Sequence, residues 1–265
     1  MDLQLEGHRA VVTGSSGGIG EAIARRLSRE GAAVVIHGRR AESVHRVVTA
    51  IRAEGGQASG ALANLADADD APHFIAATLA GGPVDILVNN AAAFVNRGWD
   101  DTTPEDWIEL FALNVAAPVR LIHGFAPSMR SGGWGRIIQI GSGEATNPFP
   151  VMADYAASKA ALVNLTVSLA KHLAGSSITV NTVSPGVVMT PGIEAFYRPE
   201  ASRRGFGDDA AAVERHVLAD VLDNPTRRLG RPEEIADLVA FVASPLAGYV
   251  NGANLRIDGG STAVV

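Results

Sequence analysis

Cysteine is absent from all 265 residues. That absence excludes a disulfide scaffold, a thiol nucleophile, a Cys-ligated zinc site and an iron–sulfur cluster. Lysine is nearly absent: the 22 basic residues are 20 Arg plus Lys159 and Lys171, so a lysine standing in a motif carries unusual weight. Positive charge is also in deficit. Against 28 acidic residues the formal net charge is −6, which gives no net pull towards nucleic acid or an anionic membrane. No apolar run approaches the roughly 18 residues of a membrane helix, and the longest candidate, 238–250, is broken by Ser244-Pro245. The opening residues, Met1-Asp2-Leu3-Gln4-Leu5-Glu6, have neither a basic n-region nor an apolar h-region, so no signal peptide is expected. A cytoplasmic globular protein is the expectation, with neither nucleic acid nor membrane as partner and no metal site.

What is present is a chain that is 47% hydrophobic with 29 Gly, long enough to bury a large core as one or two domains. Short β-branched runs alternate with longer amphipathic stretches, the pattern of βαβ units around a parallel sheet. Strands are predicted at 10–13, 33–37, 84–89, 135–141, 179–183 and 254–257, with a weaker one near 58–61. Helices are predicted at 19–30, 41–54, 69–80, 104–129, 154–174 and 232–243. No repeat or composition break suggests a linker, so 1–265 reads as one domain. The segment 191–226 breaks the alternation with many charges and reads as a mostly helical insertion, either surface packing or a mobile lid.

Thr13-Gly14-Ser15-Ser16-Gly17-Gly18-Ile19-Gly20 follows the first strand and opens the first helix. Glycines there allow a tight turn and close approach of a pyrophosphate to the helix N-terminus, whose free N–H groups favour an anion. The same residues satisfy G-x-S-x-G with Ser16 at its centre, the nucleophile elbow of serine hydrolases. That alternative lacks a His whose context singles it out, and an elbow on the first strand is oddly early. The second strand ends His37-Gly38-Arg39-Arg40. An acid at this place would bind the ribose diol of NAD, whereas an Arg accommodates a 2′-phosphate. Gly38 leaves room where a carboxylate would repel, and Arg39 and Arg40 can bond a phosphate. NADP(H) is therefore the expected cofactor, with NAD(H) possible.

Tyr155-Ala156-Ala157-Ser158-Lys159 places a phenol and an ammonium at i, i+4 on one helix face. With three Tyr and two Lys, chance alone gives such a pair about 0.02 times. A neighbouring ammonium favours the phenolate and draws the phenol pKa down towards neutrality. Tyr155 can then give a proton to a carbonyl oxygen or take one from an alcohol. Arg could supply the charge but could not join a proton relay.

With these residues in hand the chain resembles a short-chain dehydrogenase/reductase of the 3-oxoacyl-ACP-reductase-like kind along essentially its whole length. The matching motifs run in order: Thr13-Gly14 with Gly18-Ile19-Gly20, Asn89-Asn90-Ala91, Leu113-Asn114-Val115, Ser142, Tyr155 with Lys159, Asn181 with Ser184-Pro185-Gly186, and Asp258-Gly259-Gly260. The resemblance implies an α/β fold, a doubly wound Rossmann domain of about seven parallel strands flanked by helices. It implies a catalytic set of Tyr155 as acid/base, Ser142 holding the substrate oxygen, Lys159 tuning Tyr155 and binding the nicotinamide ribose, and Asn114 holding a relay water. It implies cofactor contacts at Gly14, Ser16, Gly18, Ile19, Gly20, Arg39, Arg40, Asn64, Leu65, Asn90, Ala91, Tyr155, Lys159, Pro185, Gly186, Val188 and Thr190.

Two departures stand out. Asn89-Asn90-Ala91-Ala92 replaces the family's usual Asn-Asn-Ala-Gly, and Asn64-Leu65 replaces its Asp-Leu or Asp-Val. Neither removes the catalytic machinery. The resemblance favours a substrate lid at 191–226, and Phe94, Glu144, Phe149, Met152 and Met189, with Phe196 or Tyr197, are the candidates to face the substrate. Glu144 could instead cap a helix. The activity implied is interconversion of a ketone and a secondary alcohol by an NADP(H)-dependent oxidoreductase. It would act on a small molecule and assemble as a homo-oligomer, dimer or tetramer, through 104–129, 154–174 and the C-terminal segment. A non-catalytic NADP(H) sensor, epimerisation or elimination chemistry, and the Ser16 hydrolase are the alternatives.

Overall fold

The computed structural model describes residues 1–262. Seven strands, β1 (Arg9–Val12), β2 (Ala33–Gly38), β3 (Ala58–Leu62), β4 (Ile86–Asn89), β5 (Gly135–Ile140), β6 (Ile178–Pro185) and β7 (Asn254–Ile257), form one sheet in the order β3-β2-β1-β4-β5-β6-β7. Every pairing is parallel, so each connection crosses over a face of the sheet. The helices in chain order are α1 (Gly18–Arg29), α2 (Ala41–Ala53), α3 (Asp70–Ala80), α4 (Pro104–Phe111), α5 (Ala117–Gly132), α6 (Ala153–His172), α7 (Pro191–Arg203), α8 (Ala210–His216) and α9 (Pro232–Ala243).

The core divides as the period-2 alternation of strands requires. Ala10, Val12, Val34, Ile36, Ile86 and Val88 meet Ile23 and Leu27 of α1, Val47 and Ile51 of α2, and Val239 of α9. The intervening residues Val11, Val35, Leu87 and Ile137 face the other way, against Phe74 of α3 and Leu121, Phe125 and Met129 of α5. Both faces are thus covered, which is why the central strands read as unbroken apolar runs. The weaker signal at 58–61 is also a strand. It is β3, at the sheet edge, where Ser59, Gly60 and Leu62 are exposed.

The helix expected over 104–129 runs from Pro104 to Gly132 but is not uniform. Thr103 caps it in a reciprocal box with Asp106, and Gly133 stops it at φ +69°. Between α4 and α5 lies a π-helical turn, Ala112–Ala116. Pro118 explains its position: a proline has no N–H, so the carbonyl of Asn114, four residues back, loses its α-helical partner. Taken as one helix, Pro104–Gly132 is long and apolar enough to cross a membrane, although it contains no uninterrupted apolar run of that length. In this fold its residues Leu121, Ile122, Phe125 and Met129 are buried in the core.

The segment 191–226 is helical as expected, comprising α7, α8 and a second π turn at Val217–Val221. It carries a small apolar cluster of its own, with Ala201, Val213, Val217 and Leu229 buried together.

Phe125 has no solvent exposure and meets Phe74 edge-on at 6.3 Å between ring centroids. Phe125→Ala should lower the unfolding free energy by about 3–5 kcal/mol in urea titration; a loss under about 1 kcal/mol would contradict this docking of α5 on the sheet.

Candidate active site

The glycine-rich turn passes from β1 into α1 across the carboxyl edge of the sheet. Gly14 has φ +63°, and a Cβ at Gly20 would lie 2.5 Å from both the Asn90 amide nitrogen and the Gly14 carbonyl. Only glycine fits such a closure. Asn90 fastens the turn to the end of β4: its Nδ2 donates to the carbonyls of Thr13 at 2.8 Å and Gly14 at 3.2 Å. Thr13 Oγ1 in turn accepts from the N–H groups of Asn90 and Ala91, each at 2.9 Å. No side chain caps α1 at Gly17, so its first-turn N–H groups remain open to an anion.

His37 buckles the same turn from β2. The Gly14 N–H donates to His37 Nδ1 at 2.9 Å, and the ring's other nitrogen lies 3.2 Å from the Ala63 carbonyl. An N–H can be accepted only by an unprotonated Nδ1, so the neutral Nε2–H tautomer is required. Burial pulls the His37 pKa down to about 4, opposed by the Ala63 bond and aided by the Arg39 charge. The engaged ring leaves nothing to activate Ser16, whose side chain instead packs where a Cβ on Gly38 would be, 2.7 Å from Oγ. A Cβ on Gly38 would meet Ser16 and Val44, so the position admits no side chain, an acidic one included. Arg39 and Arg40 follow it, both exposed.

Catalytic candidates come from the ends of β5 and the first turns of α6. Tyr155 and Lys159 share one helix face, with the ammonium 5.5 Å from the centre of the phenol ring. Lys159 is 3% exposed, and its Nζ donates to the Ile140 carbonyl at 2.8 Å. Ser142, just beyond β5, accepts from the Glu144 N–H at 3.2 Å, and its hydroxyl is hydrogen-bonded to the Tyr155 side chain. Asn114 lies in the π turn and is 1% exposed. Its amide is saturated, accepting from Ala93 N–H at 2.9 Å and donating to the Ala93 carbonyl and to Ser158 Oγ.

One cavity of about 300 Å³ gathers Gly18, Ile19, Gly20, Asn90, Phe94, Ser142, Glu144, Phe149, Met152, Tyr155, Lys159, Pro185, Gly186, Val188 and Thr190. Ile193, Phe196 and Tyr197 of α7 complete its wall. Phe94 meets both Tyr155 and Phe196 edge-on. Burial controls the charges. It lowers Lys159 to about 8 and raises Glu144 to about 7. Tyr155 is pushed up to about 12 by burial, and the Glu144 charge adds to the rise while nearby Ser142 opposes it. Tyr155 is thus not drawn towards neutrality by Lys159, the shift its i, i+4 spacing predicts. Desolvation wins instead, because the ammonium is aimed at the Ile140 carbonyl.

Other expected residues lie off the cavity wall. Asn64 is exposed, and Leu65 is buried in the core under α3 and α5. Met189 turns away from the candidate substrate position and packs into the cluster of the 191–226 segment. Gly14, Ser16, Ala91 and Asn114 support the wall from behind or beside it, while Arg39 and Arg40 stand at the end of β2.

These features are those of one family. The family model for short chain dehydrogenase matches residues 8–200. An uncharacterized oxidoreductase, YvrD, of Bacillus subtilis is 35% identical over 260 residues, covering 98% of each chain. The crystal structure of L-sorbose reductase from Gluconobacter frateurii, complexed with NADPH and L-sorbose, superposes with a TM-score of 0.94 at 31% identity, covering 100% of both chains. A 3-oxoacyl (acyl-carrier-protein) reductase from Agrobacterium tumefaciens with NADP bound gives 0.87 at 36% identity, covering 97% and 95%. The chain belongs to the short-chain dehydrogenase/reductase family and is an NAD(P)-dependent oxidoreductase acting on CH–OH and C=O groups.

Two site residues escaped sequence reasoning. Asp154 is fully buried beside Tyr155, and its Oδ1 accepts the Tyr155 N–H at 2.8 Å. Arg97 pairs with Asp154 at 3.5 Å and with Asp106, and its carbonyl accepts from Met152 N–H. Met152 adopts φ +60° there, a strained conformation held at the entrance to the catalytic helix. The available signal was an acid immediately before the motif tyrosine, in the first turn of its helix.

The buried neutral His37 makes stability pH-dependent. Its folded pKa lies below its ordinary value of 6.5, so its contribution is complete above pH 6.5 and is lost as pH falls through about 4. Between pH 7 and 4 the wild type should lose roughly 3 kcal/mol more unfolding free energy than His37→Gln. Urea titrations at both pH values check this, and equal losses would contradict the burial of a neutral ring.

Proposed function

We propose that this chain is an NADP(H)-dependent ketoreductase, interconverting a ketone and a secondary alcohol, with Tyr155 as general acid/base. The observation that carries the reading is the meeting of Tyr155, Ser142 and Lys159 on the wall of the cavity that the open N-terminus of α1 also lines. The residues fit a dinucleotide: uncapped N–H groups and close glycines for the pyrophosphate, and Arg39 and Arg40, without an ion-pair partner among the described residues, for a 2′-phosphate. The NADPH and NADP in the two similar reductase structures support the same choice. Bound there, a dihydronicotinamide supplies the hydride.

The chain's own groups handle the oxygen. Ser142, hydrogen-bonded to Tyr155, turns its hydroxyl to the carbonyl oxygen and fixes its position. Tyr155, held protonated by burial, gives its phenol proton as negative charge develops on that oxygen. Lys159 and the Asn114 carbonyl, which Pro118 deprives of its α-helical partner, offer a route by which the proton is replaced. The 191–226 segment acts as a lid through Ile193, Phe196 and Tyr197. Self-association runs through α4 and α6, where Ile108 is 70% and Val167 38% exposed.

Arg39→Ala should lower kcat/KM with NADPH about 10- to 100-fold while changing that with NADH little, the value of a charge-assisted bond. Comparable rates with the two cofactors in the wild type would overturn the 2′-phosphate assignment. Tyr155→Phe should reduce ketone turnover by about 10²- to 10⁴-fold while NADPH binding, followed by nicotinamide fluorescence, persists. Unchanged behaviour of that variant would return weight to a cofactor sensor.

A further inference from the structure

Glu144 is an acid in the catalytic cavity with no hydrogen-bond partner for its buried Oε2 among the described residues. It sits in the single helical turn Gly143–Ala145 directly after Ser142, and its side chain lines the cavity. It does not cap the turn that carries it, because the N–H groups of Thr146 and Asn147 go to the Gly143 carbonyl. The carboxyl is close enough to raise the phenols of both Tyr155 on α6 and Tyr197 on α7, and all three line the same cavity. The neighbouring rings of Phe94 and Phe196 are apolar and offer it nothing.

A buried carboxyl oxygen without a partner is costly, and a site can retain that cost when the ligand brings the missing hydrogen bond. We infer that Glu144 selects carbonyl substrates carrying a hydroxyl group on a carbon next to the carbonyl, by holding that hydroxyl while Tyr155 and Ser142 hold the oxygen. The inference rests on the ketoreductase reading above. A hydroxyl suits the position better than an ammonium, because the Lys159 cation shares the cavity and repels a second positive charge. Burial also raises the carboxyl to about 7. At neutral pH it therefore exists in both forms, able to accept from a hydroxyl or donate to one. The titratable groups facing it are Tyr155 and Lys159 from α6 and Tyr197 from α7.

The test compares 1-hydroxybutan-2-one with butan-2-one, using NADPH and the wild type, Glu144→Gln and Glu144→Leu. The readout is the ratio of kcat/KM for the hydroxyketone to that for the plain ketone. The wild-type ratio should be at least about tenfold. It should fall close to one in Glu144→Leu and stay within about threefold of wild type in Glu144→Gln, whose amide still bonds a hydroxyl. A wild-type ratio near one, or a ratio unchanged in Glu144→Leu, overturns the inference, as does a stronger preference for 1-aminobutan-2-one. Thermal melting checks folding, and leucine should not lower it because it removes an unpaired buried atom. If neither ketone turns over, the ketoreductase reading fails by itself, and calorimetric titration of both ketones into the protein with NADP⁺ decides the inference. Tighter hydroxyketone binding that Glu144→Leu abolishes upholds it; equal binding of the two overturns it.

Discussion

Parallel pairing of all seven strands is the constraint on which the rest of the molecule depends. Strands that run the same way cannot be joined by tight hairpins, so each connection crosses a face, and every strand delivers its carboxyl end to the same edge. The order reverses between β1 and β4, and the connections leave in opposite directions there, opening a crevice. Thr13, Asn90, Ser142 and Pro185 each lie at or just beyond a carboxyl end, at β1, β4, β5 and β6. They are distant in sequence and close in space for that single reason.

Within the crevice, rigidity comes from backbone groups bonded to side chains of neighbouring strands. The glycine turn cannot hold itself, since its glycines carry no side chains to pack. Asn90 supplies two donors to its carbonyls, His37 accepts one of its N–H groups, and the Ser15 hydroxyl takes the His37 N–H in return. The turn is therefore preorganised from both flanking strands, and its remaining N–H groups at the start of α1 stay free for an anion. On the substrate side Arg97 has the corresponding task, joining the segment after β4 to the first turn of α6 through Asp154 and the Met152 backbone.

Much of this was legible in the residues alone, because strand alternation and motif order are local properties. All seven strands were anticipated, and Tyr155 with Lys159 stood out through the scarcity of lysine. What escaped was whatever depends on direction or on desolvation. The family resemblance implies Met189 near the substrate, but its side chain packs against the apolar cluster of Ala201, Val213, Val217 and Leu229. The helical pattern of 104–129 conceals the π turn, although Pro118, four residues after Asn114, was its chemical trace. The sign of the Tyr155 shift is set by burial, and no spacing rule contains that.

The three titratable groups of the cavity share one physical cause. Burial disfavours each charged form, so it lowers Lys159 and raises Glu144 and Tyr155 together. In the folded protein near neutral pH the phenol is thus loaded with its proton, which is the state needed to deliver a proton to a carbonyl oxygen. Removing a proton from an alcohol instead requires the phenolate, and only additional positive charge close to the phenol oxygen can bring that form within reach. The protonation of the phenol is therefore coupled to electrostatics at one atom. Whatever shifts the Lys159 ammonium from the Ile140 carbonyl towards the phenol stabilises the phenolate.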